Sequence, residues 1–134
     1  MTKLEVAALY VGFNLLLLVF LGLRVANFRR ANQVGLGDAG NPALLRLIRI
    51  HGNAAEWIPA GAVGLMFLAL LEPVPILTVH VAGASLTAGR LLHFMGLTQA
   101  EGASFGRVAG MVLTFAALIT CGAGSIWAAL SPVL

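Results

Sequence analysis

Four polar residues interrupt an otherwise apolar stretch at a spacing that puts them side by side. Arg46, Arg49, Asn53 and Glu56 recur at intervals of three, four and three. On a 3.6-residue helix they fall within an arc of about 80° and share one face. His51 lies about 200° from Arg49 on that wheel and points elsewhere. Downstream, Arg90 and His93 are three apart and share a helix face, while Arg107 precedes a long uncharged run. Charges at such places cost at least ~2.5–3.5 kcal/mol at mid-bilayer, so they turn inward and find partners. Two chemistries fit. One is an interhelical polar lock in which Glu56 serves as fixed counter-ion to Arg49 or Arg90. The other is a binding site for an anion. Arg49, Arg90 and Arg107, joined by Arg24, face only Glu56 and Glu101. Guanidinium groups in excess suit a carboxylate-bearing ligand, which they can grip bidentately.

Other candidates carry less. His80 stands alone deeper in its segment and reads as a hydrogen-bonded core histidine. His51 and His93 form no HxxxH or HxxE pattern, and no metal site is expected. The single Cys121 sits inside an apolar run, which excludes an internal disulfide framework and reads as a small buried hydrophobe.

The elements that hold these residues must be membrane helices. The chain has 134 residues, of which 60% are hydrophobic and 10% charged, with a mean hydropathy of +0.97. Soluble domains carry about 25% charged residues, and a chain this short cannot bury so much apolar surface in a water-soluble core. The length allows one domain, residues 1–134. Val6 to Leu23 contains no charge, and its one strongly polar residue is Asn14. Arg24, Arg29 and Arg30 follow where a signal peptide would need a small-residue cleavage site, so the run is the first span. Asn41-Pro42 marks a helix start, and Glu72-Pro73-Val74-Pro75 a tight connection. We expect an all-α, four-transmembrane-helix bundle with spans at about 6–24, 42–71, 76–95 and 108–130. The second helix, longer than a hydrocarbon core of ~30 Å, must extend its polar end beyond the membrane or along a cavity.

Seven of the eight basic residues gather at one end, leaving only Lys3 at the other. Their net excess of +3 lies between apolar runs, not on a solvated face, so it argues topology and not nucleic acid. The positive-inside rule places the two basic loops in the cytoplasm and both termini outside. Gly102, Gly106 and Gly110 repeat at four-residue spacing, and Ala82-Gly83-Ala84-Ser85 and Ala88-Gly89 lie in the third span. Small residues of this kind let membrane helices approach closely.

The segment Arg49-Ile50-His51-Gly52-Asn53-Ala54-Ala55-Glu56-Trp57-Ile58-Pro59 resembles the signature of the MAPEG family, membrane-associated proteins in eicosanoid and glutathione metabolism. Ala88-Gly89-Arg90-Leu91-Leu92-His93 is similar to that family's Arg-x-x-His on helix three, and Gly35-Leu36-Gly37-Asp38-Ala39-Gly40 looks like the loop before helix two in bacterial members. The likeness extends over nearly the whole chain in length, layout and motif order. It implies a homotrimer in a bacterial inner membrane, with glutathione as co-substrate bound between subunits near the cytoplasmic face. By position, Arg49, Asn53 and Glu56 would hold the glutathione backbone, with Glu56 on its amino group. Arg90 and His93 would reach it from helix three, and Arg24 would take a carboxylate.

Some family features are missing. Leu97 stands where the prostaglandin E synthase branch has tyrosine, and Val108 to Met111 lack the serine and tyrosine that branch has after the arginine corresponding to Arg107. That weighs against prostaglandin or leukotriene synthesis. The expectation is a membrane-bound glutathione transferase or peroxidase acting on small lipophilic electrophiles, with Arg107 as the catalytic cation. A non-catalytic protein that keeps the fold and the polar lock is the alternative. A small transporter is a weaker third, since no span is broken by paired Gly and Pro at mid-membrane.

Overall fold

A computed structural model of the chain describes residues 1–99 and 102–131. The described chain folds into four helices, α1 (Lys3–Ala31), α2 (Pro42–Leu70), α3 (Ile76–Gln99) and α4 (Phe105–Leu130), arranged as an all-α membrane bundle. Among the described residues α1 packs on α2 and α3, and α4 packs on the same two, whereas α1 and α4 do not meet. The α2–α3 pair is therefore the spine, flanked by α1 on one side and α4 on the other.

Local chemistry fixes the helix ends. Thr2 opens α1 with a capping box: its hydroxyl accepts from the Glu5 amide, and the Glu5 carboxylate accepts from the Thr2 amide. That cap starts the helix three residues ahead of the apolar run. At its other end α1 passes Arg24 and carries Arg29 and Arg30 in its last turn, where cations favour the negative end of the helix dipole. The arginines expected in a loop are thus helical. Asn41 caps α2 as its sequence predicts, accepting from the amides of Ala43 and Leu44. The α1–α2 loop turns on residues with positive φ, among them Gly37 and Gly40 at +68°. Lys3 is more than a topology marker. Its ammonium donates to the carbonyls of Leu71 and Glu72 and so closes the C-terminal end of α2.

By length and composition α1, α2 and α4 can each cross a membrane. The 24 residues of α3 give about 36 Å, also enough for a ~30 Å core. Its polar side chains instead lower its hydropathy, and Arg90 and His93 are buried against neighbouring helices.

Apolar packing fills the bundle in two clusters. One, near the chain termini, joins Val6, Leu65, Leu68, Val79, Ala82 and Cys121. The other, toward the basic end, joins Leu17, Leu21, Ile50, Ala54 and Ile58. Asn14, fully buried, lies outside both; its amide nitrogen donates to the Thr87 hydroxyl at 2.7 Å and to the Tyr10 carbonyl at 2.9 Å.

The closest helix approach is that of α3 and α4, and it depends on glycine. A methyl group on Gly110 would lie 2.5 Å from the His93 amide nitrogen, and one on Gly96 would lie 2.5 Å from that of Arg107. Gly89 and Gly106 are similarly crowded, whereas Gly102 faces open space. The small-residue repeat is spent inside the chain, closing α4 onto α3, and not on an exposed face.

Candidate functional site

The α3–α4 contact carries Arg90 into the interior, where it is 3% exposed. Its Nε and Nη2 both donate to the Thr114 hydroxyl, at 2.9 and 2.6 Å. Nη1 donates to Asn53 Oδ1 at 2.7 Å, and Nη2 also approaches the Gly110 carbonyl and Met111 sulfur. Thr114 hands its own hydroxyl proton to the Gly110 carbonyl one turn back. One guanidinium thus ties three helices together through neutral partners. Hydrogen bonds to a charged group are among the stronger ones a fold can make.

Charge pairing was one of the two chemistries open here and is not what the fold uses. Glu56 is exposed, and among the described residues neither Glu56 nor Arg49 has a side-chain partner. The counter-ion lock expected from Glu56 is replaced by the Arg90–Asn53–Thr114 network. Thr114 received no role from the sequence. A threonine in a 23-residue uncharged run looks like a helix-backbone donor, and only the approach at Gly110 reveals it as an acceptor for Arg90.

Beside this network lies a cavity of about 240 Å³ lined by Arg49, Asn53, His93, Leu97 and Arg107. Arg49 and Asn53 come from α2, His93 and Leu97 from α3, and Arg107 from the first turn of α4. Ser104 sets that turn: its hydroxyl accepts from the Arg107 amide and donates to the Gly96 carbonyl. Arg107 also donates to the Gly102 carbonyl. His93 and Arg107 have a second outlook, onto an apolar cleft of about 380 Å³ whose other walls include Val108, Met111, Val112 and Phe115. A guanidinium and an imidazole therefore stand where a polar chamber meets an apolar one.

The expected site residues divide accordingly. Arg49, Asn53, His93 and Arg107 line the polar cavity. Arg90 stands behind it and holds Asn53. Glu56 sits one turn along α2 and does not line the cavity. Arg24 stands apart altogether: its guanidinium rests 5.9 Å from the Phe20 ring centre and 5.3 Å from that of Phe94. Arg46, the first member of the α2 stripe, turns toward α3 and donates to the Thr98 carbonyl at 3.3 Å. His51 packs against Gly22 of α1, on the side its helical position predicts. His80 is held by Tyr10, whose hydroxyl lies 3.2 Å from Nδ1. Glu101 lies outside the described residues.

Known proteins place this arrangement. Residues 7–127 match the MAPEG family. The chain is 35% identical over 122 residues to the inner membrane protein YecN of Escherichia coli strain K12, covering 91% of each chain. The YecN protein of E. coli O6:H1 matches equally well, at 35% identity and 91% coverage. Motif order, four-helix layout and these matches agree, and the chain belongs to the MAPEG family.

Proposed function

We propose that this protein binds glutathione in the Arg49–Asn53–His93–Arg107 cavity and joins it through its sulfur to a lipophilic electrophile, or uses it to reduce one. The observation that carries this reading is the lining of that cavity. Two guanidinium groups, an amide and an imidazole face it, and among the described residues no carboxylate does. An anion with several hydrogen-bonding groups suits that lining, and glutathione carries two carboxylates.

Length supports the same ligand. Arg49 and Glu56 are seven residues apart on α2, about 10 Å along the axis. A three-residue extended chain spans roughly the same distance. Glutathione laid along α2 would reach the Arg49 guanidinium with a carboxylate and the exposed Glu56 with its ammonium. At about 240 Å³ the cavity is smaller than the ~300–1,000 Å³ of most small-molecule sites, so the ligand would extend past the chain's own walls. A homotrimer with the site at the subunit boundary would complete it.

In the reaction, Arg107 is the catalytic residue. A guanidinium beside a thiol lowers its pKa and raises the thiolate fraction at neutral pH. The sulfur would then sit where polar and apolar chambers meet, facing an electrophile in the cleft of Met111, Val112 and Phe115. Sulfur attacks the electrophilic carbon and a leaving group departs with the bond's electron pair. With a hydroperoxide, sulfur attacks oxygen, and a second glutathione thiol completes the reduction to alcohol and water with formation of a disulfide. The protein would lie in the inner membrane with its basic loops in the cytoplasm, where the positive-inside rule puts them.

Glutathione titrated against detergent-purified protein, with melting temperature as readout, tests the reading. The wild type should be stabilised at millimolar ligand. Arg49→Ala should weaken the response roughly ten- to hundredfold, the value of one charge-assisted contact, while the unliganded melting temperature stays put because among the described residues Arg49 has no side-chain partner to abandon. A wild type that ignores glutathione would sink the proposal. The Arg90 network would then be the purpose of the polar stripe, with no turnover attached.

A further inference from the structure

Three residues of α2 share an open face. Ala55, Glu56 and Pro59 are all exposed and fall within about 100° of arc on a 3.6-residue helix. Pro59 lies inside α2 and not at its end. Proline has no N–H, so the carbonyl four residues back, that of Ala55, loses its helical donor. That carbonyl is bonded to the Glu56 nitrogen, and among the described residues the Glu56 carboxylate has no side-chain partner. One neutral and one charged acceptor thus stand unspent side by side.

Their depth makes this costly. Residues 57–71 carry no charge and give about 22 Å of helix. The far end of that run is where Lys3 meets the carbonyls of Leu71 and Glu72. Ala55 and Glu56 therefore stop short of the other limit of a ~30 Å hydrocarbon core. Lipid chains offer no donor there, and neither an open carbonyl nor a carboxylate is stable against lipid without one. The group that suits both is positive and carries several N–H donors. A primary ammonium does so from a single atom, with three protons to share between carboxylate and carbonyl. Arg49 lies on the same face of α2, about 10 Å away along the axis. The open face therefore presents a cation at one end and a pair of acceptors at the other.

We propose that Pro59 makes the Ala55 carbonyl a second acceptor, beside the Glu56 carboxylate, for the α-ammonium of the bound thiol peptide. The site then selects thiols with a free amino group over those without one. Pro59 acts through the carbonyl it frees and is a positioning residue. The inference rests on the glutathione reading and adds to it the feature that recognises the ligand's amino end.

Equilibrium binding to the full-length protein in detergent tests it with two ligands. One is glutathione, and the other is its desamino analogue glutaryl-cysteinyl-glycine, which keeps both carboxylates and the thiol. The wild type should prefer glutathione by at least roughly hundredfold, the value of two hydrogen bonds to a charged group. Pro59→Ala supplies an N–H that reclaims the Ala55 carbonyl. Its glutathione affinity should fall roughly tenfold, and its affinity for the analogue should stay at the wild-type value. Pro59→Gly restores the same N–H in a more pliable helix and should repeat the result, which separates the recaptured acceptor from a change in helix bend. Equal losses for both ligands would make Pro59 a shaper of the cavity alone and overturn the proposal, as would unchanged affinity for both. A wild type that binds the two ligands equally overturns it too, while the glutathione reading stands. A wild type that binds neither sinks both.

Discussion

Arg90 on α3 donates to Asn53 on α2 at 2.7 Å, and the same guanidinium is gripped from behind by Thr114 of α4. The amide oxygen of Asn53 is therefore committed to Arg90, and its NH2 group is left to face the adjoining cavity. Arg90, matched to the family's ligand motif, here holds Asn53 and does not itself line the cavity.

A positioning role predicts a specific pattern for Thr114→Val. Arg90 loses its most intimate acceptor in a buried place, which should cost about 1–3 kcal/mol of stability. It should also weaken glutathione binding by loosening Asn53. Thr114→Ser keeps the hydroxyl and should restore most of both. Unfolding titrations in denaturing detergent and glutathione titration of the two variants give the answer. Loss of stability with unaltered glutathione affinity would reduce Arg90 to a structural tie.

The glycines of the α3–α4 contact give a sharper contrast. In Gly110→Ala the new methyl would lie 2.5 Å from the His93 nitrogen and 2.7 Å from the Gly89 carbonyl oxygen, both backbone atoms that cannot step aside. The helices must separate, and Arg90 then loses Thr114. We expect several kcal/mol of destabilisation, beyond the 1–3 kcal/mol usual for overpacking. Gly122→Ala, on the same helix with nothing within 4 Å, should be neutral or stabilising by up to ~1 kcal/mol, the helix-propensity gain. Melting temperatures of the two variants compared with wild type decide the matter.

These glycines also mark how far the sequence could be read. Helix number, the Asn41 start and the inward turn of Arg90 and His93 were legible, because hydropathy and capping chemistry act within a few residues, whereas Arg49 and Glu56 of the stripe stay exposed. The start of α1 at Lys3 was legible in principle, as Thr2 and Glu5 form a capping box, but the apolar run drew attention past it. The partners of Arg90 were not legible. Spacing on α2 put Asn53 and Glu56 on one face, but only the approach of α4 at Gly110 brings Thr114 within reach and makes a carboxylate unnecessary. Separation of Arg24 and Arg46 from Arg49 is likewise tertiary. The residues share a charge and an end of the bundle, and of the three only Arg49 lines the polar cavity.

Topology follows from the basic end. Arg24, Arg29 and Arg30 ride on the last part of α1, Arg46 and Arg49 on the first part of α2, and Arg107 on the first turn of α4. A reporter fused after Leu134 should map to the non-cytoplasmic side. A cytoplasmic reporter at that position would reverse the orientation and carry the polar cavity to the outer face.

The last prediction concerns a polar bridge between α1 and α3 in mid-bundle, from Asn14 to Thr87. Asn14 is fully buried, and its Oδ1 finds no partner while its Nδ2 donates to Thr87 on α3. An orphaned acceptor in a membrane interior is costly, so this asparagine holds its place through what its nitrogen does. Interhelical hydrogen bonds in membranes average about 0.6 kcal/mol and reach about 1.7 kcal/mol. A double-mutant cycle with Asn14→Ala and Thr87→Val should return a coupling in the upper part of that range. The bond is short, buried on its Asn14 side and backed by the Tyr10 ring seated on Gly83. Each single variant should also destabilise, Asn14→Ala more because it leaves a void and Thr87→Val less because the shape is kept. The cycle is measured by unfolding in denaturing detergent with all four proteins. A coupling near zero would mean that the Asn14–Thr87 bond adds nothing to the α1–α3 contact, with Asn14 merely tolerated between the helices.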